Sequence, residues 1–155
     1  MNIAINGFGR IGRAAFKAGF GQVKIKIVGI NDLTDTKTLA HLLQHDTAYH
    51  KWEHEVKYDE KNLIVDGQKI PVFAEKDPAV LPWGKLSVDV VVESTGKFTK
   101  KDLAELHLKA GAKKVVLSAP AKGGGVPTYV RGVNCAKVPN EKSLIINNAS
   151  CTTNS

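Results

Sequence analysis

The strongest constraint on this chain is a cluster of three glycines within eight residues near its start. Asn6-Gly7-Phe8-Gly9-Arg10-Ile11-Gly12-Arg13 follows the apolar run Ile3-Ala4-Ile5 and leads into the helix-like segment Ala14-Ala15-Phe16-Lys17-Ala18. Gly-x-Gly-x-x-Gly between a strand and a helix is the setting that a dinucleotide phosphate needs. Gly7 permits the tight turn. Gly9 has no Cβ to keep the backbone from a pyrophosphate, and Gly12 lets the helix lie close to the strand. The phosphates then meet free N–H groups at the positive end of that helix. Glycine is common, so the pattern alone is weak. A second apolar strand, Ile25 to Ile30, strengthens it by ending in Asn31-Asp32. Asp32 stands 20 residues past Gly12, where a carboxylate meets the adenosine ribose hydroxyls. A carboxylate there repels a 2′-phosphate, so NAD is expected over NADP.

Strand and helix signals alternate through the rest of the chain. Thr36 to His45 carries Leu39, Leu42 and Leu43 at helical spacing, with Asp35 or Thr36 as cap. Glu55 to Phe73 reads as two or three short antiparallel strands turning at Asp66-Gly67. Asp77-Pro78 opens a short helical turn. Val88 to Glu93 is a nearly continuous apolar run, as in a parallel strand buried on both faces. Thr99 can cap a helix through His107, with Leu103, Leu106 and Ala110 on one side and Gly111 as the stop. Lys114 to Ser118, Tyr129-Val130 and Leu144 to Ile146 are further strand candidates. The expected fold is α/β: a doubly wound parallel sheet of the Rossmann type with a small antiparallel insertion. Ligands bind such sheets beyond the carboxyl ends of the strands. Those ends carry small, polar or acidic residues: Asn6-Gly7, Asn31-Asp32, Ser94-Thr95-Gly96 and Ser118-Ala119-Pro120.

Composition excludes several classes. No run approaches the ~20 apolar residues of a membrane span, and the first residues lack the pattern of a secretory signal. With Cys135 and Cys151 as its two cysteines, the chain has no disulfide framework, which suits a reducing, cytoplasmic compartment. The net charge of +7 comes from scattered lysines such as Lys97, Lys100, Lys101, Lys109, Lys113 and Lys114. Aromatics are not interleaved with them, so no nucleic-acid partner is expected. His41 with His45, and His50 with His54, have the spacing of a metal pair. Neither pair has an adjacent glutamate or a third ligand, so solvated or partly packed histidines and no metal are expected.

Near the end, Ser150 is a plausible N-cap for a helix running through Thr152 and Thr153. A thiolate at a helix N-terminus is favoured by the dipole. Two readings of Cys151 stay open on spacing alone: an inert buried cysteine, or a nucleophile beside the nucleotide site.

The stretches Ile5 to Arg13, Ile30-Asn31-Asp32, Glu93-Ser94-Thr95-Gly96, Leu117-Ser118-Ala119-Pro120, Gly132-Val133-Asn134 and Asn148-Ala149-Ser150-Cys151-Thr152-Thr153-Asn154 resemble the glyceraldehyde-3-phosphate dehydrogenase family over essentially the whole chain. The last of these is close to diagnostic. The resemblance implies a nucleophilic Cys151, with Ser150 and Thr152 holding substrate or phosphate. It implies that Gly7, Gly9, Arg10, Ile11 and Gly12 meet the NAD pyrophosphate, and Asn31 and Asp32 the adenosine end. It places Lys76, where the family often has arginine, near the adenine, and Thr95, Gly96 and Ser118 along the cleft. Residues 1–149 are then the NAD-binding domain, and 150–155 the start of a catalytic domain whose histidine and anion-binding arginine lie beyond Ser155.

The implied partners are glyceraldehyde 3-phosphate and inorganic phosphate, in a homotetramer at full length. Erythrose 4-phosphate dehydrogenase is the near rival, and a stand-alone NAD-binding module the alternative for the isolated chain. Departures from the family pattern are Lys97, usually apolar, the loop Gly123-Gly124-Gly125, and Ser155, often cysteine.

Overall fold

The computed structural model describes residues 1–140 and 142–155. Six parallel strands form its centre, in the spatial order Ile145–Asn147, Lys114–Leu117, Val90–Glu93, Asn2–Asn6, Lys26–Asn31 and Gln68–Phe73, and Asn62–Val65 and Val56–Tyr58 extend one edge. The chain starts in the middle, at β1 (Asn2–Asn6), and crosses through α1 (Arg10–Gly19) to β2 (Lys26–Asn31). It continues outward through α2 (Thr36–Gln44), the hairpin β3 (His45–Asp46) and β4 (His50–Lys51), then β5 (Val56–Tyr58), β6 (Asn62–Val65) and β7 (Gln68–Phe73). From there it returns to the other side of β1, laying down β8 (Val90–Glu93), α3 (Lys101–Lys109), β9 (Lys114–Leu117) and β10 (Ile145–Asn147). A short helix, α4 (Cys151–Asn154), ends it. The order reverses between β1 and β8, and a sheet of this kind opens a crevice at that point.

The side-chain alternation of the strands explains the layers. Ile5 and Ile30 point to one face, where Phe16 of α1 and Leu39 and Leu43 of α2 cover them. Ala4 and Val91 point to the other, against Leu81 and Trp83. Further along that second face, Ala104 of α3 covers Val115, Leu117 and Ile145. Each fully buried Leu or Phe contributes roughly 1.5–3 kcal/mol.

The antiparallel ribbon turns as expected at Asp66 and Gly67, both at positive φ (48° and 81°), the backbone of a type I′ turn. β7 pairs antiparallel with β6 over residues 68–71 and parallel with β2 at Ile30↔Val72 and Asn31↔Phe73. Asp35 caps α2, accepting the Thr38 N–H at 2.9 Å.

Several expectations are corrected. The helix assigned to Thr99–His107 starts instead at Lys101 and runs to Lys109, with no side-chain cap from Lys100. Thr99 O accepts the Lys122 N–H and Lys100 bridges Lys122, which holds that segment extended. Its fully buried residues are Ala104 and His107, whereas Leu103 and Leu106 are half-buried and Ala110, just past its end, packs against the Leu81–Trp83 cluster. Tyr129-Val130 is no strand: Asn134 Oδ1 accepts the Val130 N–H and turns the chain. The β3–β4 hairpin has no counterpart in the sequence reading.

Candidate functional site

The carboxyl ends of β1, β2 and β8 surround a cleft of about 520 Å³. Gly7, Gly9, Asn31, Asp32, Lys76 and Thr95 line it. Asn6 and Ser94, expected at the ligand-binding strand ends, and Lys97, noted as a departure from the family pattern, also line it, together with Leu33, Glu75 and Phe98, which the sequence had not singled out.

The three glycines serve three separate geometric needs. Gly7 has φ of +88°, and a Cβ there would lie 2.7 Å from the Thr95 backbone nitrogen. A Cβ on Gly12 would lie 2.1 Å from the Gly7 carbonyl oxygen, so α1 is drawn against the turn. A Cβ on Gly9, which lines the cleft, would meet nothing within 4 Å. Gly9 is the N-cap of α1 and offers no side-chain cap to the first-turn amides. Arg10 and Ile11, in that turn, are exposed, and Gly12 is buried.

Asp32 ties the glycine turn to the end of β2. Its Oδ2 accepts the Phe8 N–H at 2.6 Å and its Oδ1 accepts the Thr34 N–H at 2.9 Å. Arg13 Nη1 holds the Phe8 carbonyl at 3.0 Å. Burial lowers the Arg13 pKa below the ordinary guanidinium range, against the pull of Asp46. The turn is thus fixed from both sides before any ligand arrives.

Gly96, at φ +72°, is exposed beside Thr95 and is not among the lining residues. Ser118 follows β9, its N–H donating to the Glu93 carbonyl at 3.0 Å, and it too lies off the cleft wall. Ser150 caps α4 as expected, its Oγ accepting the Thr153 N–H at 3.0 Å. Cys151 and Thr152 are exposed in the first turn of that helix and form no part of the cleft lining. Cys151 is a free thiol, exposed among the described residues. Among the described residues no helix is long and apolar enough to cross a membrane, and no group of three metal-ligating side chains converges.

The cleft fits a dinucleotide on its own geometry. The first-turn amides of α1 carry no side-chain cap and Gly9 leaves open space beside them, a setting suited to an anion. The Ser94 hydroxyl oxygen is buried at the cleft with no hydrogen-bond partner among the described residues, a donor and acceptor left for a ligand.

Comparison with known proteins decides the family. The profile of "Glyceraldehyde 3-phosphate dehydrogenase, NAD binding domain" matches residues 1–101. The chain belongs to the glyceraldehyde 3-phosphate dehydrogenase family. It carries the family's NAD-binding domain, and NAD is its cofactor. It is 55% identical over 155 residues to glyceraldehyde-3-phosphate dehydrogenase of Thermotoga maritima, covering 99% of this chain and 46% of that protein. With the enzyme of Geobacillus stearothermophilus it shares 51% over 154 residues, 99% of this chain and 46% of the relative. Glyceraldehyde-3-phosphate dehydrogenase 1 of Bacillus subtilis is 52% identical over the same length, with the same coverage. The chain therefore spans about half the length of the curated relatives it matches.

Sequence reasoning missed the buried polar row beneath this cleft. Asn31, Asn6 and Glu93 are register partners across β2, β1 and β8, and all three are buried. A glutamate ending the apolar run Val88–Val92 was the available signal. His107, which the sequence marked only as the end of a helix, is fully buried.

Proposed function

We propose that this chain is the cofactor-binding part of a phosphorylating, NAD-dependent glyceraldehyde 3-phosphate dehydrogenase. The observation that carries the reading is the uncapped, glycine-opened start of α1 facing Asp32 across the cleft at the reversal of strand order. Arg10 and Ile11 amides and Gly9 receive the pyrophosphate, with Gly7 and Gly12 shaping the turn. Asn31 and Asp32 receive the adenosine ribose. Lys76 borders the adenine, and Thr95, Gly96 and Ser118 flank the nicotinamide half. Residues 1–149 form this domain, and Ser150 opens the catalytic part.

NAD, when bound, supplies the hydride acceptor. Cys151 adds its sulfur to the aldehyde carbon, and loss of hydride from that carbon leaves a thioester on the cysteine. An oxygen of inorganic phosphate then attacks the thioester carbonyl, the C–S bond breaks, and the thiolate returns. Ser150 and Thr152 hold the phosphate-bearing partner. The histidine that accepts the thiol proton in this family follows Cys151 in sequence, whereas His41, His45, His50, His54 and His107 all precede it. The isolated chain accordingly binds NAD and does not turn over. A glyceraldehyde rather than an erythrose phosphate is the substrate, as the names of the relatives support. The full-length protein is a cytoplasmic homotetramer.

Calorimetric titration of the chain tests the cofactor assignment. NAD is expected to bind at least about tenfold more tightly than NADP, equivalent to about 1.4 kcal/mol, and Asp32→Gly to narrow the gap. Equal affinity of the unmodified chain for both would remove Asp32 from the discriminating role. Acyl phosphate formation by the isolated chain would overturn its reading as a binding domain.

A further inference from the structure

Behind the cleft runs a line of buried polar groups that cofactor contact alone leaves unexplained. Glu93 is 2% exposed. Its Oε2 accepts from Asn6 Nδ2 at 2.5 Å and from His107 Nε2 at 3.0 Å. Its Oε1 accepts from the Thr95 N–H at 2.7 Å and from Thr95 Oγ1 at 2.5 Å. The proton on His107 is placed by its other neighbour. Trp83 Nε1, which can only donate, reaches His107 Nδ1 at 3.1 Å. Nδ1 is therefore bare, the imidazole is neutral, and its single N–H on Nε2 points at Glu93. Four donors satisfy the carboxylate, and none of them is a cation.

The line continues across the sheet. Asn6 Oδ1 accepts from Asn31 Nδ2 at 2.7 Å, and the Asn31 amide closes two bonds of 2.9 Å with the backbone of Glu75. His107 also stands edge-on to Phe98, with ring centroids 6.3 Å apart. Asn6, Asn31, Glu75, Thr95 and Phe98 line the cleft, whereas Glu93, His107 and Trp83 do not. A buried ionised carboxylate is costly, and an apolar side chain of similar volume would pack there at no such cost. What the carboxylate does that an apolar group could not is fix Asn6 and Thr95, on two different strand ends, to one point.

We propose that Glu93 and His107 are positioning residues for the cofactor, holding Asn6, Thr95 and Phe98 from behind the sheet in the arrangement that NAD meets. The proposal rests on the reading that this cleft takes NAD. His107 acts through Glu93 and through Phe98, and touches no ligand itself.

NAD titration of the 155-residue chain and its variants, each shown to be folded at the temperature used, tests this. His107→Leu removes one donor from Glu93 and the acceptor of the Trp83 N–H. His107→Gln can restore both, an amide N–H to Glu93 and a carbonyl to Trp83. Glu93→Gln sets a donor against a donor on one of its two sides. The expected result is Kd raised about tenfold in H107L and E93Q and within about threefold of the original in H107Q. The indole N–H resonance of Trp83, separated from that of Trp52 with a W52F variant, is expected to shift on saturation with NAD although Trp83 lines no part of the cleft. Folded H107L binding NAD within twofold of the original chain overturns the proposal. Should both H107L and E93Q fail to fold, an unmoved Trp83 resonance in the original chain overturns it instead. An original chain that takes up no NAD overturns the cofactor reading along with it, whereas normal binding with unaffected variants overturns this proposal alone.

Discussion

Gly9 and Gly12 belong to one turn, yet a methyl group at each has opposite consequences. At Gly12 it would collide with the Gly7 carbonyl oxygen at 2.1 Å, backbone against backbone. Gly12→Ala is expected to cost about 3 kcal/mol, at the upper end of overpacking penalties, read as a lowered midpoint in denaturant. At Gly9 it would enter empty space, and the backbone there has an ordinary φ of −70°. Gly9→Ala is expected to cost at most about 1 kcal/mol through the weaker N-cap. It should still weaken NAD binding at least tenfold, because the methyl stands where a phosphate must approach. A G9A variant with normal stability and normal affinity would separate the glycine turn from cofactor binding. The glycines were legible in the sequence because each demand is local. The clamp that Asp32 places on Phe8 was not, because it joins residues 24 apart in sequence whose meeting depends on β1 and β2 lying side by side.

The elements on the α2 side share a device at their ends, an aspartate accepting backbone N–H groups. Asp35 does this for α2, Asp46 for the β3–β4 hairpin and Asp66 at the base of the ribbon. Each carboxyl is held below its usual range: Asp35 by the Thr38 N–H, Asp46 by the Tyr49 and Ala48 N–H groups, Asp66 by His54 and then Glu55. Asp59, bonded first by the Lys61 N–H, falls to about 2. A depressed folded pKa adds stability that is complete above the unfolded value of about 3.9 and is lost as pH falls through the folded value. The melting temperature is therefore expected to hold from pH 6 to about 4 and to drop towards pH 2, with the Asp35, Asp46, Asp59 and Asp66 amide partners losing protection first. A melting temperature flat across that interval would show these bonds to be energetically idle. The same elements show how far pattern reading reaches. Asp66-Gly67 announces its turn through backbone chemistry alone. The start of α3 does not, since Thr99 has the right side chain for a cap and is held extended by Lys122, a residue 23 positions on.

At the scale of the whole molecule, the doubly wound sheet was legible because buried parallel strands must be apolar on both faces, and residues 90–92 and 115–117 are. The polar row Asn31–Asn6–Glu93 was hidden for the same reason: a strand's last residue belongs to its neighbours, and register does not appear in composition. The strand β7 exposes a difference in how the parts of this sheet are joined. The centre is stitched by continuous backbone pairing from β10 to β2, whereas the ribbon β5–β6–β7 meets β2 at two residue pairs. Besides the burial of Leu63, Val65 and Ile70 in the core beneath α2, it is held by a few hydrogen bonds, from Thr36 Oγ1 to the Asp59 carbonyl at 2.7 Å, from the Val56 N–H to Gln44 Oε1 at 2.9 Å and from the Asp32 N–H to the Phe73 carbonyl at 2.9 Å. Apolar association weakens on cooling. Near freezing, the amides of β5 and β6 should exchange with solvent faster relative to those of β1 and β8 than they do at 25 °C. The outer third of the sheet, with the least backbone pairing to its neighbour, is then the part that loosens first in the cold.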